Sequence, residues 1–144
     1  MSTKVTCVKT LEFDTAHRVM NHESKCANLH GHGYELHVTA RAQNLDELGR
    51  IIDFSVLKQK IGDWVDEKWD HTTLLFEKDK EAIELVEKVQ ANKKVFVCSF
   101  NPTAENMANY ILTDVAPKLL IGTGVEVVKV RLYETPNCYA DAEL

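Results

Sequence analysis

A chain of 144 residues with 44% hydrophobic side chains is the size of one domain, and it can bury a core without disulfides or a structural metal. A formal net charge of −5 argues against a nucleic-acid groove or an anionic membrane surface as partner, since each calls for a basic stripe that this sequence does not carry. No apolar run approaches the roughly 18 residues of a membrane span and no apolar leader core opens the chain, so a cytoplasmic protein is expected, with Cys7, Cys26, Cys98 and Cys138 as free thiols.

From Lys4 to His17 the residues alternate, with Val5, Cys7, Leu11, Phe13, Thr15 and His17 on one parity, as in a half-buried strand. A polar loop follows from Arg18 to Leu29. A second alternating run then puts His30, His32, Tyr34, Leu36, Val38 and Ala40 on one face, predicting a strand antiparallel to the first. Asp53 is a good N-cap for a helix whose stripe is Leu57, Ile61, Trp64 and Val65, although Gly62 inside it costs about 1 kcal/mol relative to alanine. A loop carries Trp69-Asp70-His71. Asp79 to Gln90, with Ala82, Leu85, Val86 and Val89, reads as a shorter, peripheral helix. Val95–Cys98 reads as extended. Thr103 caps a further helix with Met107, Ile111 and Val115 inward, ending near Pro117. Val125 to Glu134 alternates again, with Val128, Val130, Leu132 and Glu134 on one parity. The whole is expected to be a single α+β domain over residues 1–144, an antiparallel sheet with helices packed on one face.

The chemistry concentrates in Cys26-Ala27-Asn28-Leu29-His30-Gly31-His32 and in His17 upstream. Side chains two apart on a strand share a face, so His30 and His32 do, and His17 shares the apolar parity of its own strand. Opposed Cβ atoms of antiparallel strands lie about 5 Å apart, which lets three imidazoles meet on one ion. Three neutral imidazoles leave a fourth position for water or substrate, the mark of a catalytic metal, here taken as zinc (Zn2+). His22 and His37 are weaker alternatives, the one in the loop and the other on the opposite parity. Cys26 has two readings: a fourth ligand that closes a structural site, or a thiolate beside the metal that moves a proton. Asp70-His71 has the form of a carboxylate orienting an imidazole for proton transfer. Glu134 continues an apolar face, where an unpaired carboxylate is costly, so it needs a partner. Arg18 and Lys25 are candidates to meet an anionic substrate.

Ala16-His17-Arg18, Cys26-x-x-x-His30-Gly31-His32, Gly49-x-x-Ile52-Asp53-Phe54-x-x-Leu57-Lys58, Asp70-His71, Pro102-Thr103-x-Glu105-Asn106 and Tyr133-Glu134-Thr135 together resemble the 6-pyruvoyl-tetrahydropterin synthase / 6-carboxy-tetrahydropterin synthase family. The motifs run in family order over almost the whole chain. The resemblance implies a tunnelling fold, an oligomeric barrel in which trimers stack as a homohexamer and sites lie between subunits. It implies that His17, His30 and His32 hold zinc, that Cys26 transfers protons with Asp70 and His71 as its relay, and that Glu134 anchors a pterin ring.

The three-residue gap between Cys26 and His30 and the Ile52-Asp53-Phe54 segment resemble the bacterial 6-carboxy branch of queuosine and 7-deazapurine synthesis. The implied substrate is 7,8-dihydroneopterin triphosphate, converted to 6-carboxy-5,6,7,8-tetrahydropterin with loss of triphosphate and acetaldehyde. Three alternatives stand beside it: the 6-pyruvoyl reaction, a non-catalytic zinc module in which Cys26 joins the three histidines as ligand, and a cysteine hydrolase using Cys26 and His71. Three places depart from the pattern: Trp69 where leucine is more usual, an apparent insertion from Glu77 to Lys94, and the Pro136–Tyr139 tail.

Overall fold

Alternation becomes structure first in two long strands, β1 (Cys7–His17) and β2 (His30–Ala42), paired antiparallel with Phe13 opposite Tyr34, Thr15 opposite His32 and His17 opposite His30. The computed structural model describes residues 3–144. Phe13, Thr15 and His17 are buried on one face with Tyr34, Leu36, Val38 and Ala40, while Glu12 and Asp14 face outward. This is the parity expected of both runs.

Beyond β2 lies β5 (Val125–Thr135), antiparallel, with a register shift at Thr39/Ala40 that leaves Val128 without a partner on β2. The extra residue switches the inward parity, so that Val125 and Val127 are buried before it and Val130 and Leu132 after it. A two-residue turn at Pro136-Asn137 returns the chain as β6 (Cys138–Glu143). On the other side of β1, the short strands β3 (Thr73–Phe76) and β4 (Phe96–Cys98) join in parallel. The sheet order is β4-β3-β1-β2-β5-β6. β1, β2, β5 and β6 form an antiparallel sheet, the first three as expected and β6 in addition, and the two short parallel strands make the complete sheet mixed.

The helices cover one face. Asp53 caps the first, its side chain accepting from the Ser55 N–H; α1 (Phe54–Leu57) continues through a π-helical turn, Lys58–Gly62, into α2 (Asp63–Lys68). Leu57, Ile61 and Val65 are buried, and Trp64 packs partly buried against the same core. Gly62 is explained by proximity: a Cβ there would sit 3.3 Å from Leu11 Cδ2 of β1, so the glycine lets helix and strand approach. The peripheral helix α3 (Lys80–Glu87) packs through Val86 on Leu75 and Val95, a small cluster apart from the main core, and leaves Leu85 exposed; it stops short of Val89, which is exposed as well. Thr103 caps α4 (Ala104–Tyr110), which passes through a second π turn, Ile111–Val115, into α5 (Ala116–Leu119). The helix thus runs past Pro117. The widened turn lies just before the proline, whose ring would otherwise crowd the carbonyl one turn back.

Trp69 is fully buried among Phe13, Trp64, Phe96 and Tyr110, where it ends α2 immediately before Asp70-His71. Its indole Nε1 has no hydrogen-bond partner among the described residues. An unpaired buried N–H costs about 1–3 kcal/mol, set here against the large apolar area of the ring.

Candidate active site

Strand pairing alone places His17, the last residue of β1, against His30, the first of β2. His17 is fully buried and its Nδ1 donates to the Pro102 carbonyl at 2.7 Å; His30 Nδ1 donates to the Asn28 carbonyl at 2.6 Å. A carbonyl only accepts, so both rings carry their proton on Nδ1 and turn an Nε2 lone pair toward each other. The two Nε2 atoms are 3.1 Å apart. His32 adds a buried Nε2 that lacks an aligned hydrogen bond and lies 3.1 Å from Glu134 Oε1, which is also 3.2 Å from His17 Nε2.

One donor atom from each of these four residues lies within 4.8 Å of the others. Lone pairs and a carboxylate converging in this way repel one another unless a cation or a proton stands among them. Nitrogen and oxygen donors with their outer nitrogens oriented by carbonyls are the environment of a zinc site, so the residues fit the ion. Burial lowers the His32 pKa, with the neighbouring imidazoles adding to it and Glu134 opposing. The Glu134 carboxyl is held below the usual range, first by a hydrogen bond from His17 when that ring's Nε2 also carries a proton, against the effect of its burial.

Tyr34 carries no chemical motif in the sequence, and only its parity, shared with His30 and His32, points to the site. Its hydroxyl is 3.3 Å from both nitrogens of His17, and its ring stacks on Phe13 at 5.1 Å. Burial, then the Glu134 and Cys26 charges, push its pKa well above the normal phenol value. It serves as a protonated floor under the imidazoles.

Cys26 sits half-buried in a one-turn 3-10 helix, Lys25–Ala27, tied down by its own carbonyl accepting from Val19 N–H at 2.9 Å. Its sulfur is not among the four convergent donors. Asp70 and His71 form the expected pair, His71 Nδ1 lying 2.8 Å from Asp70 Oδ2, but they group with Asp14. Asp14 has the opposite parity to His17, so within one chain this pair occupies the other face of β1 from the imidazoles. His71 adopts a left-handed φ of 55° and its side chain is 74% exposed.

The remaining candidates have other partners or face solvent. Arg18 is committed to the buried Asp79 through two hydrogen bonds, one of 2.7 Å from Nη2, and is not free for an anion. Lys25 is exposed. His22 Nδ1 accepts from the Ser24 N–H, and His37 pairs with Glu35 at 2.6 Å on the outward face.

The model of the family described as 6-pyruvoyl tetrahydropterin synthase matches residues 6–144. The chain belongs to that family. A 6-carboxy-5,6,7,8-tetrahydropterin synthase of Rickettsia bellii is 40% identical over 95% of this chain and 99% of its own. One from Helicobacter pylori is 34% identical over 92% of this chain and 70% of its own. Among solved structures, an uncharacterised protein of Wolinella succinogenes superposes with a TM-score of 0.83 at 22% identity, covering 99% of both chains. The Caenorhabditis elegans 6-pyruvoyl tetrahydropterin synthase superposes with a TM-score of 0.68 at 24% identity, over 99% of this chain and 96% of that one. The family match and the superpositions therefore agree on the fold.

Proposed function

We propose that this protein converts 7,8-dihydroneopterin triphosphate and one water to 6-carboxy-5,6,7,8-tetrahydropterin, releasing triphosphate and acetaldehyde, as a zinc-dependent cytoplasmic enzyme of queuosine or 7-deazapurine synthesis. The observation that carries the reading is the convergence of the His17, His30 and His32 Nε2 atoms, two of them with tautomers set by main-chain carbonyls. Relatives of nearly the same length that bear the 6-carboxy name support the choice of branch.

Zinc held by the three imidazoles would supply Lewis-acid polarisation of the substrate's side-chain oxygens. The remaining chemistry belongs to the chain's own groups. The Cys26 thiolate takes a proton from the side-chain carbon next to the pterin. Asp70 accepts from His71 Nδ1–H, leaving His71 Nε2 to accept and return protons. Glu134 accepts the N–H groups of the amino-pyrimidine edge, which gives its half-buried carboxylate the partner it needs. Tyr34, kept protonated, closes the floor of the pocket to water. Because Asp70 and His71 lie across the strands from the imidazoles, the relay that serves one Cys26 comes in this reading from a neighbouring copy, within a hexamer of stacked trimers.

A second reading of Glu134 is favoured by its position 3.1 and 3.2 Å from two imidazole nitrogens: a fourth donor to the cation. The substrate assay tests the main proposal. Purified protein is incubated with dihydroneopterin triphosphate, and the pterin product and acetaldehyde are identified by mass spectrometry. A 6-pyruvoyl product without acetaldehyde would move the protein to the other branch. Absence of turnover would leave a zinc-binding module, and a sulfur scatterer near about 2.3 Å in X-ray absorption would then assign Cys26 as its ligand.

A further inference from the structure

We infer that Lys93, on the loop between α3 and β4, is the positioning residue of the Asp70–His71 pair, and that the 77–94 segment braces the turn carrying it. The inference rests on the reading of Asp70–His71 as a proton relay. At the end of α2 the N–H groups of Trp69 and Asp70 both donate to the Val65 carbonyl at 2.9 Å. A regular helix would send the Asp70 N–H to Asp66 instead, so the Asp66 carbonyl loses its partner. Lys93 Nζ replaces it, donating to the Asp66 carbonyl at 2.6 Å and also to the Asp70 carbonyl. A single ammonium thus satisfies two carbonyls at a helix C-terminus, where positive charge is favoured.

The Asp70 carbonyl belongs to the peptide leading into His71, whose φ of 55° is a conformation that a histidine holds only when its surroundings require it. Lys93 pins that peptide from one side. From the other, His71 N–H donates to the Asp14 carbonyl at 2.6 Å, and Asp14 N–H donates to Asp70 Oδ1 at 2.9 Å. The same loop holds the next residue: Thr72 Oγ1 donates to the Lys94 carbonyl at 2.7 Å and accepts from Gln90 Nε2 at 3.1 Å. Residues on both sides of His71 are therefore fixed by 90–94, while the imidazole itself projects outward. The charge acts as well. Burial would raise the Asp70 carboxyl, yet the hydrogen bonds from Asp14 and His71 and the nearby Lys93 ammonium together hold it below its ordinary value.

The test compares Lys93→Met, Lys93→Arg and His71→Gln in the full chain, with folding checked by circular dichroism and zinc content measured. In Lys93→Met, kcat is expected to fall about tenfold with KM within about twofold, the signature of a misaimed catalytic group. The Asp70 carboxyl, followed by 13C NMR, is expected to titrate at higher pH, and the His71 15N shifts to lose the single-tautomer pattern. Lys93→Arg should restore all three. If Lys93→Met does not fold, Lys93→Gln, which keeps a donor without the charge, is read the same way. A folded variant with an unshifted Asp70 titration and an unchanged His71 tautomer overturns the inference, whatever its kcat. Wild-type turnover in His71→Gln overturns the relay reading instead, and the two NMR observables still decide whether Lys93 sets the turn.

Discussion

The Nε2 atoms of His17 and His30 face each other at 3.1 Å, and each ring's Nδ1 is engaged by a main-chain carbonyl. Neither ring can turn away without breaking a hydrogen bond, and that of His17 is fully buried. The site is thus organised before any ligand arrives, and its properties follow from that.

Metal binding should stabilise the fold. A ligand bound only by the native state contributes about 2.7 kcal/mol when its free concentration is about 100 times its Kd. Thermal melting with added zinc, and again after chelation, is expected to show a higher Tm with the metal. His32→Ala should bind less zinc by elemental analysis and lose most of that increment. Identical melting curves with and without zinc would count against a metal centre.

Glu134→Gln separates the two roles open to that residue. As a substrate anchor it makes a charge-assisted contact of about 1.5–3 kcal/mol, so kcat/KM should fall about 10- to 100-fold with zinc content unchanged. Zinc lost in proportion to activity would assign the carboxylate to the metal. Both quantities come from one preparation.

Trp69 combines a fully buried ring with an unpaired N–H. Trp69→Ala should cost about 3–5 kcal/mol in urea denaturation, the usual range for removing a large core aromatic. Trp69→Phe should cost less than about 1.5 kcal/mol, because removing the orphaned N–H offsets part of the lost volume. Equal destabilisation of the two variants would mean that the indole nitrogen is hydrogen-bonded in the folded protein.

Burial pushes the Cys98 thiol up to about 12 from its ordinary 9.0. Between these values the unfolded chain ionises and the folded one does not. The contribution of Cys98 is therefore fully present below about pH 9 and is lost as pH rises toward about 12. Replacing Cys98 with alanine should flatten the alkaline limb of the stability profile. Iodoacetamide at about pH 8 should modify the exposed Cys138 well before Cys98, and equal rates would contradict the buried environment.

Much of this protein was legible where burial is one-sided. The parity of β1 and β2 foretold both the core face and the face shared by the three histidines, and Asp53 and Thr103 cap helices as their residue types suggest. The signal failed where burial is two-sided or absent. In β3, Thr73, Leu74 and Leu75 are all buried, so no alternation marks the strand; β6 is an exposed edge with only Ala140 and Ala142 turned toward apolar neighbours. Nor did local pattern reveal the two π turns, since each answers a packing demand, one at the approach of Gly62 to Leu11 and one before Pro117.

By itself, the sequence determined the set of chemical groups and their faces, because the two-residue period of a strand is a local property of the backbone. Only the tertiary structure decided which groups meet. It brought Glu134 of β5 to the imidazoles, set Arg18 against Asp79 instead of leaving it for an anion, and carried Asp70 and His71 to the far face of β1 under the hold of Lys93. These are contacts between segments tens of residues apart, fixed by sheet order and helix packing, and no local periodicity encodes them.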